Sequence, residues 1–323
     1  MTSSVDNPSE SQSWPASKTV IIAGIVWGVL SLGFFLLSVV QPEVEETLWY
    51  LWGTYVAECV PFVVGVALCY RNWQSPKIAS GRNVWLGIGL GILAYFIADV
   101  IFGFWEIYWE LDPEVSPADL FYMVFYISLG VGMVLAVLSK RLSLAVWQWI
   151  TLSIIALAGI ALAVWIAIAQ PAAAIELPEP VSSSIEVVLA DEPEESAPAH
   201  PVPVWVDHLQ ATLEEFASPI NSFYIISDVA LLIIAAMLLF AFWGGTFARS
   251  WQMIAAAALA KYLADMWFKY AATQPDYASG GFLEVFFVFS GILLAIGAAL
   301  EFEISSRPRK SRRRRATATA EEA

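Results

Sequence analysis

The sequence predicts an all-α polytopic membrane protein with eight transmembrane helices. These form two parallel four-helix repeats, and both termini are cytoplasmic. Three observations carry this reading. Hydrophobic residues make up 59% of the 323 positions and charged residues only 14%, a balance that excludes an ordinary soluble domain. Lys and Arg fall on one side of the apolar segments only. A Trp-to-Asp pattern in the third apolar segment recurs in the seventh.

Taken in order, the leader 1–18 is polar and carries Asp6, Glu10 and Lys18. The apolar run behind it is about 22 residues, too long for a signal-peptide core, and no small-residue cleavage site follows. It is expected to be retained as the first span. A span needs roughly 20 apolar residues, and eight stretches qualify: 19–40, 48–70, 84–105, 119–139, 144–169, 219–243, 251–272 and 282–302. The first repeat covers 19–142 and the second 143–303, including a long loop at 170–218. The tail 304–323 contains the basic run RPRKSRRRR.

Orientation follows from the cations. Lys18, Arg71, Lys77, Arg82, Lys140, Arg141, Arg249 and the basic tail all lie on one side of an eight-span chain. The opposite connections hold Glu43, Glu45, Glu46, Glu106, Glu110, Asp112, Glu114 and the acidic 170–218 loop. A multi-pass protein of the cytoplasmic membrane is expected, with that loop extracytoplasmic. The first part of the loop is rich in Pro, Ala, Ser and Glu and is expected to be flexible. Near its end Val206, Leu209, Leu213 and Phe216 recur at helical spacing, as in a short amphipathic helix at the interface.

The repeat rests on matched spacings. Trp85 to Asp99 and Trp251 to Asp265 are both 14 residues, and YFIAD (95–99) matches KYLAD (261–265). Glu58 then aligns with Asp228, and Asp119 with Glu284. Counting from the inner tryptophans at about 1.5 Å per residue places Glu58, Asp99, Asp228 and Asp265 at one level, roughly 21–23 Å above that belt. Asp119 and Glu284 start spans 4 and 8 above them.

Charges inside the hydrocarbon cost at least about 2.5–3.5 kcal/mol each, so they are expected to face the bundle interior or a wet cavity, or the acids to be protonated. Lys261, Asp265 and Lys269 make an i,i+4 ladder on one helix face, with Asp265–Lys269 in the better orientation. The first half has Tyr95 and Gly103 at those lysine positions. Glu58 and Asp99 are therefore expected to be neutral, paired with Lys261, or bound to something cationic.

Other features are read as structural. Cys59 and Cys69, ten residues apart on one helix, are too distant to bridge. Pro61 is expected to free backbone carbonyls near Glu58. Gly87 and Gly91 suit close helix packing. The Trp and Tyr excess is read as mostly interfacial belt, with nothing in it that specifies a pigment or quinone site. His200 and His208 are read as solvated residues, with no metal site. Lys261 beside Asp265 has the form of a Schiff-base lysine and counterion, but the repeat accounts for the region without a chromophore, and no cofactor is expected. The basic tail fits topology or anionic lipid, not nucleic acid.

EVSPADLFYMVFY (114–126) resembles a motif in multi-span membrane sensor regions of bacterial signalling proteins, often fused to GGDEF-type diguanylate cyclases. That pattern is roughly Pro-Ser-x-Ala-Asp-x-x-Tyr-x-x-x-Tyr-Pro. Ser116, Ala118, Asp119, Tyr122 and Tyr126 match, while Val115 and Ile127 replace the two prolines. The same Ser-Pro-x-Asp run also makes a good helix start. The tail after the last span is about twenty residues, so any signalling output is expected to lie in a separate partner.

No catalytic constellation is visible, and an enzyme is not expected. The leading expectation is a sensor or ligand/proton-binding module using Glu58, Asp99, Asp119, Asp228, Lys261, Asp265, Lys269 and Glu284. A small proton- or cation-coupled transporter and an accessory scaffold subunit are the alternatives.

Overall fold

The structure, a computed structural model, describes residues 14–111, 114–138, 144–169, 200–245, 247–274 and 277–306. The first part of the leader, the loop 170–199, Lys140 with Arg141, and the tail 307–323 lie outside the described residues. Those described form helices α1 (Ser17–Val40), α2 (Leu48–Gln74), α3 (Arg82–Tyr108), α4 (Ala118–Leu138), α5 (Val146–Ala169), α6 (Val204–Glu214), α7 (Ala217–Ala241), α8 (Ala248–Ala271) and α9 (Val285–Ser306). Two 3-10 turns, Pro42–Val44 and Phe282–Glu284, precede α2 and α9, and no strand occurs among the described residues.

Seven helices are long and apolar enough to cross a membrane: α1, α2, α3, α4, α5, α7 and α9, the last counted from Phe282. The remaining long helix, α8, has 24 residues. It falls outside that set and carries Arg249, Lys261, Asp265 and Lys269 along its length. The chain is thus a polytopic helical membrane protein.

Six helices close a ring. α2 packs on α3, α3 on α4, α4 on α7, α7 on α8, α8 on α9, and α9 back on α2. α1 lies outside against α9, and α5 outside against α7 and α8. Both outer helices present large apolar side chains outward, such as Ile25 and Val29 on α1 and Ile154 and Leu157 on α5. Acyl chains suit that surface and water does not.

Missing side chains set the tightest helix contacts. A Cβ on Gly132 of α4 would lie 2.8 Å from the Ile88 nitrogen and 2.9 Å from the Val84 carbonyl of α3. A Cβ on Gly297 of α9 would lie 2.6 Å from the Ile254 side chain and 3.2 Å from the Ser250 carbonyl of α8. The expected close packing at Gly87 and Gly91 is also present, against Gly132 and Leu129. Without a hydrophobic drive between helices in lipid, such backbone approach is a main source of cohesion.

α2 runs unbroken through Pro61. Proline has no N–H, so the Ala57 carbonyl loses its helical donor. The Trp27 Nε1–H of α1 supplies a replacement at 2.9 Å. This bond ties α1 to the ring where the helix backbone needs a partner.

The two ends of the bundle differ. At the basic end the start of α1 meets the end of α9, where the Ser17 hydroxyl bonds Glu303. There Arg71 lies over the Phe302 ring at 4.0 Å, and Asn72 Nδ2 donates to the Ala298 carbonyl at 2.9 Å. Just inside that end the ring is plugged by fully buried Trp85, Ile88, Ile92, Met133, Leu238, Trp251 and Ile254. The Trp85 and Trp251 rings meet across the centre, 6.2 Å between centroids. At the opposite end α6 docks on the end of α3, with Val206 sealed against Trp105 and Trp109. Of the expected apolar stripe, Val206 and Leu209 pack here, while Phe216, past the end of α6, is 52% exposed at the junction with α7. His200 stacks on Tyr108, 4.3 Å between ring centroids.

Candidate functional site

Above the plug the ring encloses a cavity of about 590 Å³. Six carboxylates line it: Glu58, Asp99, Glu114, Asp119, Asp265 and Glu284. Lys261 and Lys269 are the cations on its wall. Asp228 stands just behind, joined to that wall through Tyr126 and Lys269. All eight charged residues singled out from the sequence therefore meet in one place, contributed by α2, α3, α4, α7, α8 and the turn before α9.

Lys261 forms a salt bridge with Asp265 one turn along α8. Its ammonium also lies 4.7 Å from the Phe287 ring centre and 4.9 Å from that of Tyr95, with Phe125 and Tyr126 at 5.7 Å. The aromatic faces stabilise a cation that has left water. Lys269 departs from the expected ladder. It pairs with Asp228 of α7 at 2.9 Å and not with Asp265. The reason is competition: the oxygens of Asp265 are already taken by Lys261 and by the Tyr126 hydroxyl at 3.0 Å. Asp228 is 2% exposed on the adjoining helix and has greater need of a counter-charge.

The other carboxylates are held by hydroxyl and backbone donors. Tyr95 donates to Glu58 at 2.6 Å and Tyr122 to Asp99 at 2.9 Å. The Tyr126 hydroxyl spans Asp228, at 2.5 Å, and Asp265. Tyr224 bonds Asp119, Tyr277 donates to Glu284 at 2.6 Å, and Tyr55 to Glu106 at 2.5 Å. Six of the eleven tyrosines thus serve interior acids. This corrects the interfacial-belt reading for those six. The sequence did carry a signal: Tyr122 and Tyr126 follow Asp119 by three and seven residues, on one helical face.

Asp119 and Glu284 also cap their own chain. The Ser116 N–H donates to Asp119 at 2.7 Å and the Gly280 N–H to Glu284 at 2.9 Å. The Ser116–Asp119 pair has the capping-box form, in which a side chain three residues into the helix reaches back. The capping reading of this motif and its place in the cavity are compatible, because one Asp119 oxygen serves the helix start and the other meets Tyr224.

One carboxylate oxygen on the cavity wall is left over. Asp99 is 3% exposed, and its Oδ2 has no hydrogen-bond partner among the described residues. The cavity reaches the acidic end at Glu114 and Asn221, which bond each other at 2.8 Å. Among the described residues no group of three His, Cys, Asp or Glu side chains is arranged to hold a metal ion.

The fold and the site together define a class, a polytopic helical membrane protein with a charged and aromatic interior cavity. Compared with models of protein families, with curated proteins and with solved structures, the chain gives no match.

Proposed function

We propose that this chain is a membrane binding module, a sensor that takes a ligand or protons into the carboxylate-lined cavity from its acidic end. The observation that carries the reading is the cavity itself, about 590 Å³ with six carboxylates on its wall. That volume suits a small molecule, and ionisable groups held inside a membrane bundle commonly mark ligand or ion paths.

We read the bundle as eight crossings in two parallel repeats. α8 counts as a span because it is packed between α7 and α9 and its interior charges are paired. Three features support the repeat. The ring order maps α2, α3 and α4 onto α7, α8 and α9. The contact of Gly132 with Ile88 and Val84 recurs at Gly297 with Ile254 and Ser250. Trp85 meets its counterpart Trp251, as residues beside a pseudo-twofold axis should. The one-sided Lys and Arg distribution favours cytoplasmic termini and an extracytoplasmic cavity mouth.

The apolar plug below the cavity gives this conformation a single mouth, as a binding module has and an open channel does not. An open channel needs a second exit, and Trp85, Trp251, Ile88 and Ile254 are fully buried where it would run. The motif resemblance points the same way: Asp119, Tyr122 and Tyr126 all join the network around the cavity.

Proteoliposomes separate the readings. A binding module shows ligand- or pH-dependent stabilisation with no flux of protons or solute across a sealed bilayer. Flux that Asp265→Asn abolishes would establish a transporter instead.

A further inference from the structure

We propose that the ligand is a small organic ammonium ion, a protonated primary or secondary amine on an apolar or aromatic body, seated with its charge at Asp99. This deepens the binding reading above and rests on it.

The two sides of the cavity treat their acids differently. On the α7–α8 side every interior carboxylate has a cation from the chain, Asp265 from Lys261 and Asp228 from Lys269. On the α2–α3 side the matching positions lack one. Tyr95 stands where Lys261 stands, and Gly103 where Lys269 stands. The space left at Gly103 is filled by the Tyr55 ring, which a Cβ there would meet at 2.9 Å. Glu58 and Asp99 therefore accept only tyrosine hydroxyls, and neither forms a salt bridge among the described residues.

Asp99 Oδ2 is the independent sign of a ligand. It belongs to a side chain on the cavity wall, 97% buried, and lacks a donor. A buried acceptor without a donor is costly, and an ionised one more so. An incoming ammonium supplies the missing charge-assisted hydrogen bond. In effect it provides on this side what Lys261 provides on the other.

The rest of the wall selects the cation type. Tyr55, Phe102 and Tyr122 line the same cavity and offer faces to a cation and its apolar body. The cavity is far larger than one inorganic ion. A calcium ion would need six or more converging oxygens, and no cluster of ligating side chains occurs among the described residues. Entry at the acidic end, past Glu114, draws cations and repels anions.

The full chain in lipid nanodiscs is titrated with 2-phenylethylammonium, with its neutral analogue 2-phenylethanol, and with sodium and calcium chloride, by calorimetry against empty nanodiscs. The proposal expects saturable binding of the ammonium alone, weakened about ten-fold or more by Asp99→Asn, one decade in Kd. The comparison of amine with alcohol uses the unaltered chain, so it stands even if the variant misfolds. If the alcohol binds as tightly as the amine and Asp99→Asn changes nothing, the ammonium assignment is overturned while the ligand-binding module stands. If neither probe binds but acidification loads protons in a way Asp99→Asn abolishes, the ammonium assignment is again overturned and the proton-binding reading stands. If neither probe binds and no such proton uptake occurs, both fall.

Discussion

The two walls of the cavity solve one problem in two ways. The α7–α8 wall answers its buried acids with lysines, one of them boxed by aromatic rings. The α2–α3 wall answers with tyrosine hydroxyls and leaves one Asp99 oxygen open. A lysine ammonium gives its carboxylate a charge partner, and the Lys269–Asp228 pair also joins α8 to α7. A hydroxyl donor serves either protonation state of the acid. The first wall therefore reads as framework and the second as the part free to respond.

The largest expected effect comes from breaking that contrast. Lys261→Met leaves Asp265 as a buried acid without its cation and is expected to cost about 3–5 kcal/mol. Glu58→Gln keeps an acceptor for Tyr95 and is expected to cost under about 1 kcal/mol. Unfolding in mixed detergent micelles compares the two. Equal costs would remove the distinction between the walls.

Next are the glycine contacts. Gly132→Leu and Gly297→Leu each force a side chain against the neighbouring helix and are expected to cost about 1–3 kcal/mol apiece. Similar losses in the same assay sharpen the case for matched halves, and a large loss at one position with none at the other weakens it.

Tyr126→Phe removes a donor that serves both Asp228 and Asp265. A loss of about 1–3 kcal/mol is expected. A double-mutant cycle with Asp228→Asn should show coupling, and additive effects would mean the bond contributes nothing.

The smallest effect lies outside the ring. Trp27→Phe leaves the Ala57 carbonyl without a donor and is expected to cost about 1 kcal/mol. Pro61→Ala restores a backbone N–H in that turn, so the double variant should lose less than Trp27→Phe alone. If Pro61→Ala gives no relief, the compensation between Trp27 and Pro61 is wrong.

Much of this was legible beforehand because membrane helices announce themselves by length and apolarity. The Trp-to-Asp spacing located Asp99 and Asp265 before their surroundings were known, and both reach the same cavity. Partner choice was not legible. Lys269 obeys helix geometry toward Asp265 but bonds Asp228, since which acid is left needy depends on how α7 lies against α8. The tyrosines were misread because an aromatic near a membrane end looks the same in sequence whether it faces headgroups or turns inward. Trp27 had no sequence signal as the partner of Ala57, 30 residues away.

The central claim is that acids from both halves of the chain share one interior chamber. A cryo-electron-microscopy map of the full chain in a lipid nanodisc tests it most directly. The account expects density for Tyr126 between Asp228 and Asp265, and Asp99 on the wall of the same chamber. Asp99 and Asp265 turned outward among acyl chains, with separate interiors for the two halves, would contradict it.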